Sequence, residues 1–488
     1  MLFKYAIISL ALTVSFSSQA NLFKANNAIQ NENYEVAISE LNKSVRIGNA
    51  EAQFLLGVLH YQGKAGEIDK LNAVAWFFMA AEYNYPNALE YAKLAYSELS
   101  EDDKTKARAL AAQYKNDYGI NTLQQSLLPD VFDEPINEQR IQKSAKILKR
   151  GSLQYVRGSA SARNQSAINA LIRNGGSVRN LEKMLVNDDT GIVIMQYDAA
   201  IDGTARDVEV LFSWPRGRFS PQSIKSMKNS VINPAKNSDG KTAQYGLIGQ
   251  TRFGFRDSTN FKSDYPHQYN RFKKLKKQAD DNLLAKYNYA GFLRAYGKYL
   301  PEKDYVAFDT VLLELAESGY PQAQYDYAQY QIYNNHELDL GLEWLIKAAK
   351  NGFLPAEYRL GDILLNSPSV YLKQDINKAK RWLKSAAVRG HINAQLKYMG
   401  IILEESDISE VEINQSLTWL DNIISEDQDT ITTYYLLAKA YQLSGNKEQA
   451  IENISIAIDK ANALKWDTDT WKSYKNTLET GDVLAKAE

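Results

Sequence analysis

The chain has 488 residues, with 57 Lys and Arg against 58 Asp and Glu, a formal net charge of −1 and no cysteine. That balance gives no hold for nucleic acid or any other polyelectrolyte, and the missing thiols exclude disulfides and thiolate metal sites. With 31 tyrosines and 11 prolines, the composition suits large helix-packing surfaces rather than a long disordered spacer.

The first twenty residues have the parts of a secretory signal peptide: one positive charge at Lys4, an apolar run over 5–16, and a small-x-small ending, Ser18-Gln19-Ala20. About twelve residues of helix reach roughly 18 Å, short of the roughly 30 Å of a hydrocarbon core. The expectation is cleavage after Ala20 and a periplasmic chain beginning at Asn21, with a retained amino-terminal anchor as the alternative.

Helical repeats are expected over 21–118. Ala52-Gln53-Phe54-Leu55-Leu56-Gly57, then Tyr61, Gly63, Ala73, Trp76 and Ala80-Ala81, describe one helical hairpin. Residues 28–48 read as the second half of a preceding hairpin, and 88–114 continue as helix. Pro129, Pro135 and several acidic residues mark 119–150 as a linker, with a short helix over 143–150.

From Gly191 the apolar period falls to two: Ile192, Ile194, then Tyr197, Ala199 and Ile201, a turn at Asp202-Gly203, and alternation again at Val208, Val210 and Phe212. This predicts a hairpin. Ser220 as cap and Pro221 in the first turn open a helix with an apolar face of Ile224, Met227 and Val231, closed at Asn233-Pro234. A last strand follows over 244–255, so the order is strand, strand, helix, strand. Residues 258–281 form a basic linker carrying Arg271-Phe272-Lys273-Lys274-Leu275-Lys276-Lys277. This run reads as a solvated helix or linker; peripheral contact with anionic lipid or an acidic partner is the alternative.

Helical hairpins return over 282–478, ahead of a tail at 479–488. Ala356-Glu357-Tyr358-Arg359-Leu360-Gly361 is echoed at Ala394-Gln395 and more loosely at Ala323-Gln324, and tryptophans recur at 344, 382 and 419. Gly352 and Gly390 sit where a left-handed helix cap wants glycine. A degenerate hairpin over 293–319 precedes this array. The tryptophans Trp76, Trp344, Trp382 and Trp419 are assigned to packing.

These motifs resemble the Sel-one-like repeat, a relative of the tetratricopeptide repeat, and a final unit resembles the tetratricopeptide repeat itself at Leu437-Ala438, Tyr441, Gly445, Ala450-Ile451 and Ala457-Ile458. The middle region, 151–257, resembles the carboxy-terminal domain of TonB energy transducers. The residues that carry this are Gly191, the first strand, Asp202-Gly203, the second strand, Phe219, the helix, Pro234 and Arg252-Phe253-Gly254-Phe255. It departs from that family in lacking a Tyr-Pro pair before the first strand and in having Ser213-Trp214-Pro215 after the second. The transducers' amino-terminal anchor and proline-rich spacer are also missing.

The fold class is therefore mostly α with a small α+β domain: two helical-hairpin arrays (an α-solenoid) flanking a β-β-α-β domain. The TonB resemblance implies a domain that adds an extended peptide to a sheet edge, here the strand with Gly246, Leu247, Ile248, Gly249, Gln250 and Thr251. Trp214, next to a proline after a strand, is a candidate exposed contact. The four histidines, His60, His267, His336 and His391, have no metal-ligand spacing; Asp188-Asp189 reads as a turn; and no nucleophile elbow or phosphate loop occurs. No catalytic residue, cofactor or metal is expected. The function expected is a periplasmic protein-binding scaffold whose partners include an outer-membrane receptor peptide or inner-membrane motor components. The alternative is an envelope scaffold unrelated to transport, with a purely structural middle domain. Amino-terminal sequencing of the protein from its native cell should read from Asn21; Met1 retained in a membrane pellet is the opposite outcome.

Overall fold

Helix caps written into the sequence set the first elements. In the computed structural model, which describes residues 21–133, 146–149, 190–237, 240–254, 258, 260–335, 337–369, 371–426 and 430–480, the side chains of Asn33, Asn49, Asp69 and Ser100 each accept a backbone N–H two or three residues into a helix. They open α2 (Tyr34–Val45), α3 (Ala50–Tyr61), α4 (Lys70–Glu82) and α6 (Glu101–Tyr118), with α1 (Asn21–Gln30), α5 (Ala88–Ser97) and α7 (Ile120–Ser126) completing the series. Close crossing within the α3–α4 hairpin depends on Gly57, where a Cβ would come 2.6 Å from the Phe77 ring. Gly361 plays the same part 304 positions later, its missing Cβ leaving room for Leu383. Buried Leu41, Leu55, Leu56, Trp76 and Met79 fill the core of this block.

The described residues of the first block share one compact unit with those of 316–366 and 371–398. The sequence reading separates them as two arrays; the structure joins them. Asn49 caps α3 by accepting Ala52 N–H at 2.8 Å and donates its amide to the carbonyl of Lys350, the last residue of the helix Leu338–Lys350. The ammonium of Lys350 stands over the Tyr83 ring. Downstream, the Trp382 indole donates to Leu127 O at 2.7 Å, and Lys378 reaches Leu128 O and Asp130. None of these pairings has a periodic signature, so the sequence does not announce them. Within the unit the hairpins Pro321–Tyr330 with Leu338–Lys350, and Leu354–Leu365 with Ile376–Val388, follow the expected Ala, Gly and Trp pattern. Of the region expected as a linker, residues 119–133 are built into this unit: Leu123 is buried in α7, and Leu127 and Pro129 are buried beyond it.

The second unit gathers the described residues of 135–315, 367–370 and 399–488. Its three-stranded antiparallel sheet has β2 (Gly191–Ala199) in the centre, β3 (Ala205–Trp214) on one side and β7 (Gln244–Phe253) on the other, and β5 (Ala235–Asn237) and β6 (Gly240–Thr242) form a separate antiparallel pair ahead of β7. The helix α8 (Ser220–Lys228) sends Met227 into a core of Val193, Met195, Tyr197, Ile232 and Phe253, and Phe219 stacks on Phe253 at 4.4 Å. Three small expectations change. Phe219 takes the cap position and Ser220 is already helical. Val231 lies on β4 (Val231–Asn233), 40% exposed, because the helix ends at Lys228. Residues 146–149, expected as helix, form β1 (Lys146–Lys149) paired with β4. The final strand ends at Phe253; Phe255 and His336, like residues 1–20 and all of 151–189 with Asp188-Asp189, fall outside the described residues.

The basic run 271–277 is a packed helix, Pro266–Gln278, because Tyr265, Tyr269 and Phe272 recur at i, i+4 and i+7 and are all buried. The helix Leu283–Tyr296 follows, and a buried triad of Thr190, Gln268 and Tyr296 ties both helices to the start of β2. Burial pushes the Tyr296 hydroxyl up to about 12. At the carboxy-terminal end, Ile431–Leu443 and Lys447–Ala463 form the tetratricopeptide-like hairpin, turned by Gly445 at φ +82° and packed through Ala438, Ala450, Ile454 and Ala457. The β2–β3 turn docks there. Asp202 accepts Asp467 N–H at 3.0 Å and pairs with Arg206, whose guanidinium covers the Trp466 ring. Burial alone would raise the Asp202 carboxyl, but Thr204, Asp467 N–H and Arg206 together hold it below its ordinary range.

Trp382 is 1% exposed. Replacing it with Ala should cost about 3–5 kcal/mol, as large-to-small core changes do. Trp382→Phe keeps most of the apolar area but leaves Leu127 O without its donor, so it should cost about 1–2 kcal/mol. Circular-dichroism melts of the two variants check the size and the order of these losses.

Candidate functional site

Strand β7 carries six of the seven residues singled out from sequence. It pairs only with β2 among the described strands, with Leu247 opposite Tyr197, Ile248 opposite Gln196, Gly249 opposite Met195, Gln250 opposite Ile194 and Thr251 opposite Val193. Leu247 packs against the Tyr197 and Met227 core, Thr251 is buried and Gln250 is exposed. The two glycines have local reasons to be there. Gly246 sits at φ +67° beside a register shift and donates its N–H to the Asp198 carboxylate at 2.9 Å, which makes it a bulge residue. A Cβ at Gly249 would lie 2.7 Å from the Met227 methyl, so this glycine lets the helix approach the sheet.

Trp214 is not an exposed contact. It is 4% exposed, because the helix Leu283–Tyr296 covers it: Gly291 leaves space under the indole and Phe292 meets it edge-on at 6.0 Å. Arg271, from the basic run, stands 5.0 Å over the ring centroid. Arg216 over Tyr287 and Arg294 over Phe212 repeat this guanidinium-on-ring contact across the same junction. The signal missed in the sequence is the matching arginines and aromatics of the two segments.

A second set of polar residues lies inside the hairpins of 321–398. One repeat position is occupied by Gln53, Gln324, Glu357 and Gln395. Gln324 and Gln395 each donate to the carbonyl eight residues earlier at 3.1 Å, closing the preceding helix end. Glu357, fully buried, instead takes hydrogen bonds from Ser385 and Arg389, and Arg389 also donates to Gly352 O at 2.8 Å. Burial is the larger influence on the Glu357 carboxyl and raises it. Alongside, Asp362 joins Arg359 at 2.6 Å and Lys397 at 2.7 Å. Burial would raise the Asp362 carboxyl, yet the two cations hold it below its ordinary range. A lone acid where sibling repeats carry glutamine is the sequence signal that went unread. Such buried pairs add little net stability but penalise any other stacking, which would strand a charge.

The first hairpin borders a cleft of about 580 Å³ lined in part by His60, Asp69, Lys70, Glu98 and Asp103. Three of its carboxylates are engaged within the chain: Asp69 caps α4, Glu98 holds Tyr61 and Lys70, and Asp103 holds Ser100. Among the described residues no group of three or more His, Asp or Glu is placed to hold a metal ion, and no helix is long and apolar enough to cross a membrane. The arrangement offers main-chain edges, aromatic faces and fixed charges, which are the means of peptide and protein recognition.

The Sel1 repeat family matches residues 50–85, 321–353 and 354–391, so these three hairpins are Sel1 repeats. The looser copy that begins at Ala394 lies outside the matched segments, and no TonB carboxy-terminal domain is matched. Two solved structures are similar. One is a protective antigen of uropathogenic Escherichia coli displaying an SLR fold, with 15% identity over 92% of this chain and 91% of that one, at a TM-score of 0.28. The other is a Sel1 repeat protein from Oxalobacter formigenes, with 18% identity over 44% of this chain and 98% of that one, at 0.29. No curated protein sequence matches this one. The matched segments together span under a quarter of the chain.

His391 stacks on Tyr358 at 4.4 Å within the third of these repeats. Burial, with a smaller contribution from Arg359, lowers its pKa from 6.5 to about 4. The unfolded chain therefore takes up the proton first, and stability should fall as pH drops from about 6.5 towards 4. His391→Asn keeps a side-chain acceptor for Ala394 N–H and removes the titration. Urea unfolding at pH 7 and pH 5 should show the parent losing up to about 2 kcal/mol more than the variant.

Proposed function

We propose that the chain is a periplasmic scaffold of the cell envelope in which the Sel1 repeats hold one protein partner and the sheet of the second unit takes up an extended peptide from another. The observation that carries the second half is the strand order β3-β2-β7, which leaves β7 as the outer described strand on that side. An outer strand binds a peptide through its main chain, with little demand on side-chain identity. The resemblance of 151–257 to TonB carboxy-terminal domains supports an outer-membrane receptor or inner-membrane motor component as the source of that peptide.

A second reading is favoured by a separate observation. Asp202 and Arg206 dock the β2–β3 turn on Asp467 and Trp466, as expected of a sheet that only braces the carboxy-terminal helices. Capture from envelope extract by the immobilised full chain separates the two. Leu247→Pro and Ile248→Pro each remove one main-chain donor from β7, and neighbouring donors on a strand point to opposite sides. On the first reading, one of the two variants loses the receptor or motor component while its melting temperature stays near that of the parent. Retention by both variants assigns all binding to the repeats and leaves the sheet a structural brace.

A further inference from the structure

Between α7 and the second unit the chain runs through Leu127-Leu128-Pro129-Asp130-Val131-Phe132, and this segment lies along the Sel1 repeat at 354–391. Lys373 N–H donates to Asp130 O at 3.0 Å and Phe132 N–H to Tyr371 O at 2.9 Å, with Val131 and Leu372 forming an antiparallel bridge. Two side chains of the helix Ile376–Val388 read the upstream half. The Trp382 indole donates to Leu127 O at 2.7 Å, and the Lys378 ammonium donates to Leu128 O at 2.8 Å and to the Asp130 carboxylate at 2.9 Å. Leu127 and Pro129 are buried, while Phe132 is 47% exposed.

These contacts have the form of peptide recognition rather than of core packing. Main-chain pairing holds an extended segment, one aromatic donor fixes its register, and one cation selects a carboxylate at a single position. The Lys378 side chain is 6% exposed, and its Asp130 partner is 40% exposed. An occupant without an acid at that place would leave a buried ammonium without its counter-charge, a costly arrangement. The groove therefore specifies an acid at the fourth position of an extended segment whose first and third side chains are buried, as Leu127 and Pro129 are here.

We propose that the groove formed by 371–373 and the helix Ile376–Val388 is a peptide-recognition site for extended Leu-Leu-Pro-Asp-type segments of a partner protein, kept filled in the resting chain by residues 127–132. The tethered segment acts as an intramolecular competitor whose effective concentration sets a threshold for the incoming one. This goes beyond the reading of the sheet edge and stands whether or not β7 binds peptide, since every contact it uses lies within the first unit.

A fluorescein-labelled Leu-Leu-Pro-Asp-Val-Phe peptide with blocked ends, titrated against the full chain by anisotropy, tests it. Asp130→Ala loosens the resident segment and leaves Lys378 for the peptide, so binding should tighten at least tenfold over the parent. A peptide with Ala for Asp, or the added substitution Lys378→Met, should reverse that gain. Equal peptide binding by the parent and a folded Asp130→Ala chain overturns the proposal and leaves the segment a structural clasp. Hydrogen exchange on the unaltered chain gives an independent reading if that variant fails to fold. Excess unlabelled peptide should speed exchange at the Phe132 amide, whereas unchanged protection there at millimolar peptide also overturns the proposal.

Discussion

One asparagine side chain sets the arrangement on which the first unit depends. The oxygen of Asn49 accepts at the start of one helix while its nitrogen donates to the end of another, 301 residues away. A helix leaves its first donors and last acceptors without internal partners. Here a single amide answers both needs and brings the positive end of one helix dipole to the negative end of the next. The pairing joins the hairpin 50–85 to the hairpin 321–353, so two Sel1 segments distant in sequence meet in one core. Lys350, its ammonium desolvated and its pKa lowered by burial, lies over Tyr83 at the same junction.

The buried charges extend this selectivity to the following hairpin. Apolar stripes of Ala, Leu and Tyr are alike from repeat to repeat and would tolerate several stackings. Glu357 with Arg389, and Asp362 with Lys397, join different helices and pair only where those helices meet in this register, while Arg359 pairs with Asp362 along one helix. Their contribution is to order and register rather than to net stability.

Much of the helical architecture was legible because its signals are local. The Ala-to-Gly motifs at 52–57 and 356–361 mark hairpins, Gly352 and Gly390 mark caps, and Trp344 and Trp382 recur at the repeat length. What was not legible depends on distant partners. Trp214 reads as exposed until the helix Leu283–Tyr296 is placed against it. The basic stretch 271–277 is a helix with its cations exposed, as read, but its buried face goes unread because Tyr265 and Tyr269, which share that face with Phe272, lie upstream of the run. Residues 146–149 carry two apolar positions and no period, and only Val231–Asn233 makes them a strand. Of the candidate edge residues, the strand itself was foreseen, but Gly246 and Gly249 answer to a bulge and to Met227.

The junction at Asn49 also fixes an order of events during synthesis. The first block leaves the ribosome with Asn49 lacking its acceptor, and that acceptor is made only after some three hundred further residues. Closing so long a chain segment carries an entropic cost that grows with the logarithm of its length. Any residues in between that fold first shorten the effective loop and lower this cost. The intervening strands and helices thus act as a spacer in time, and Asn49 gains its acceptor only when the pair of Sel1 repeats at 321–391 arrives.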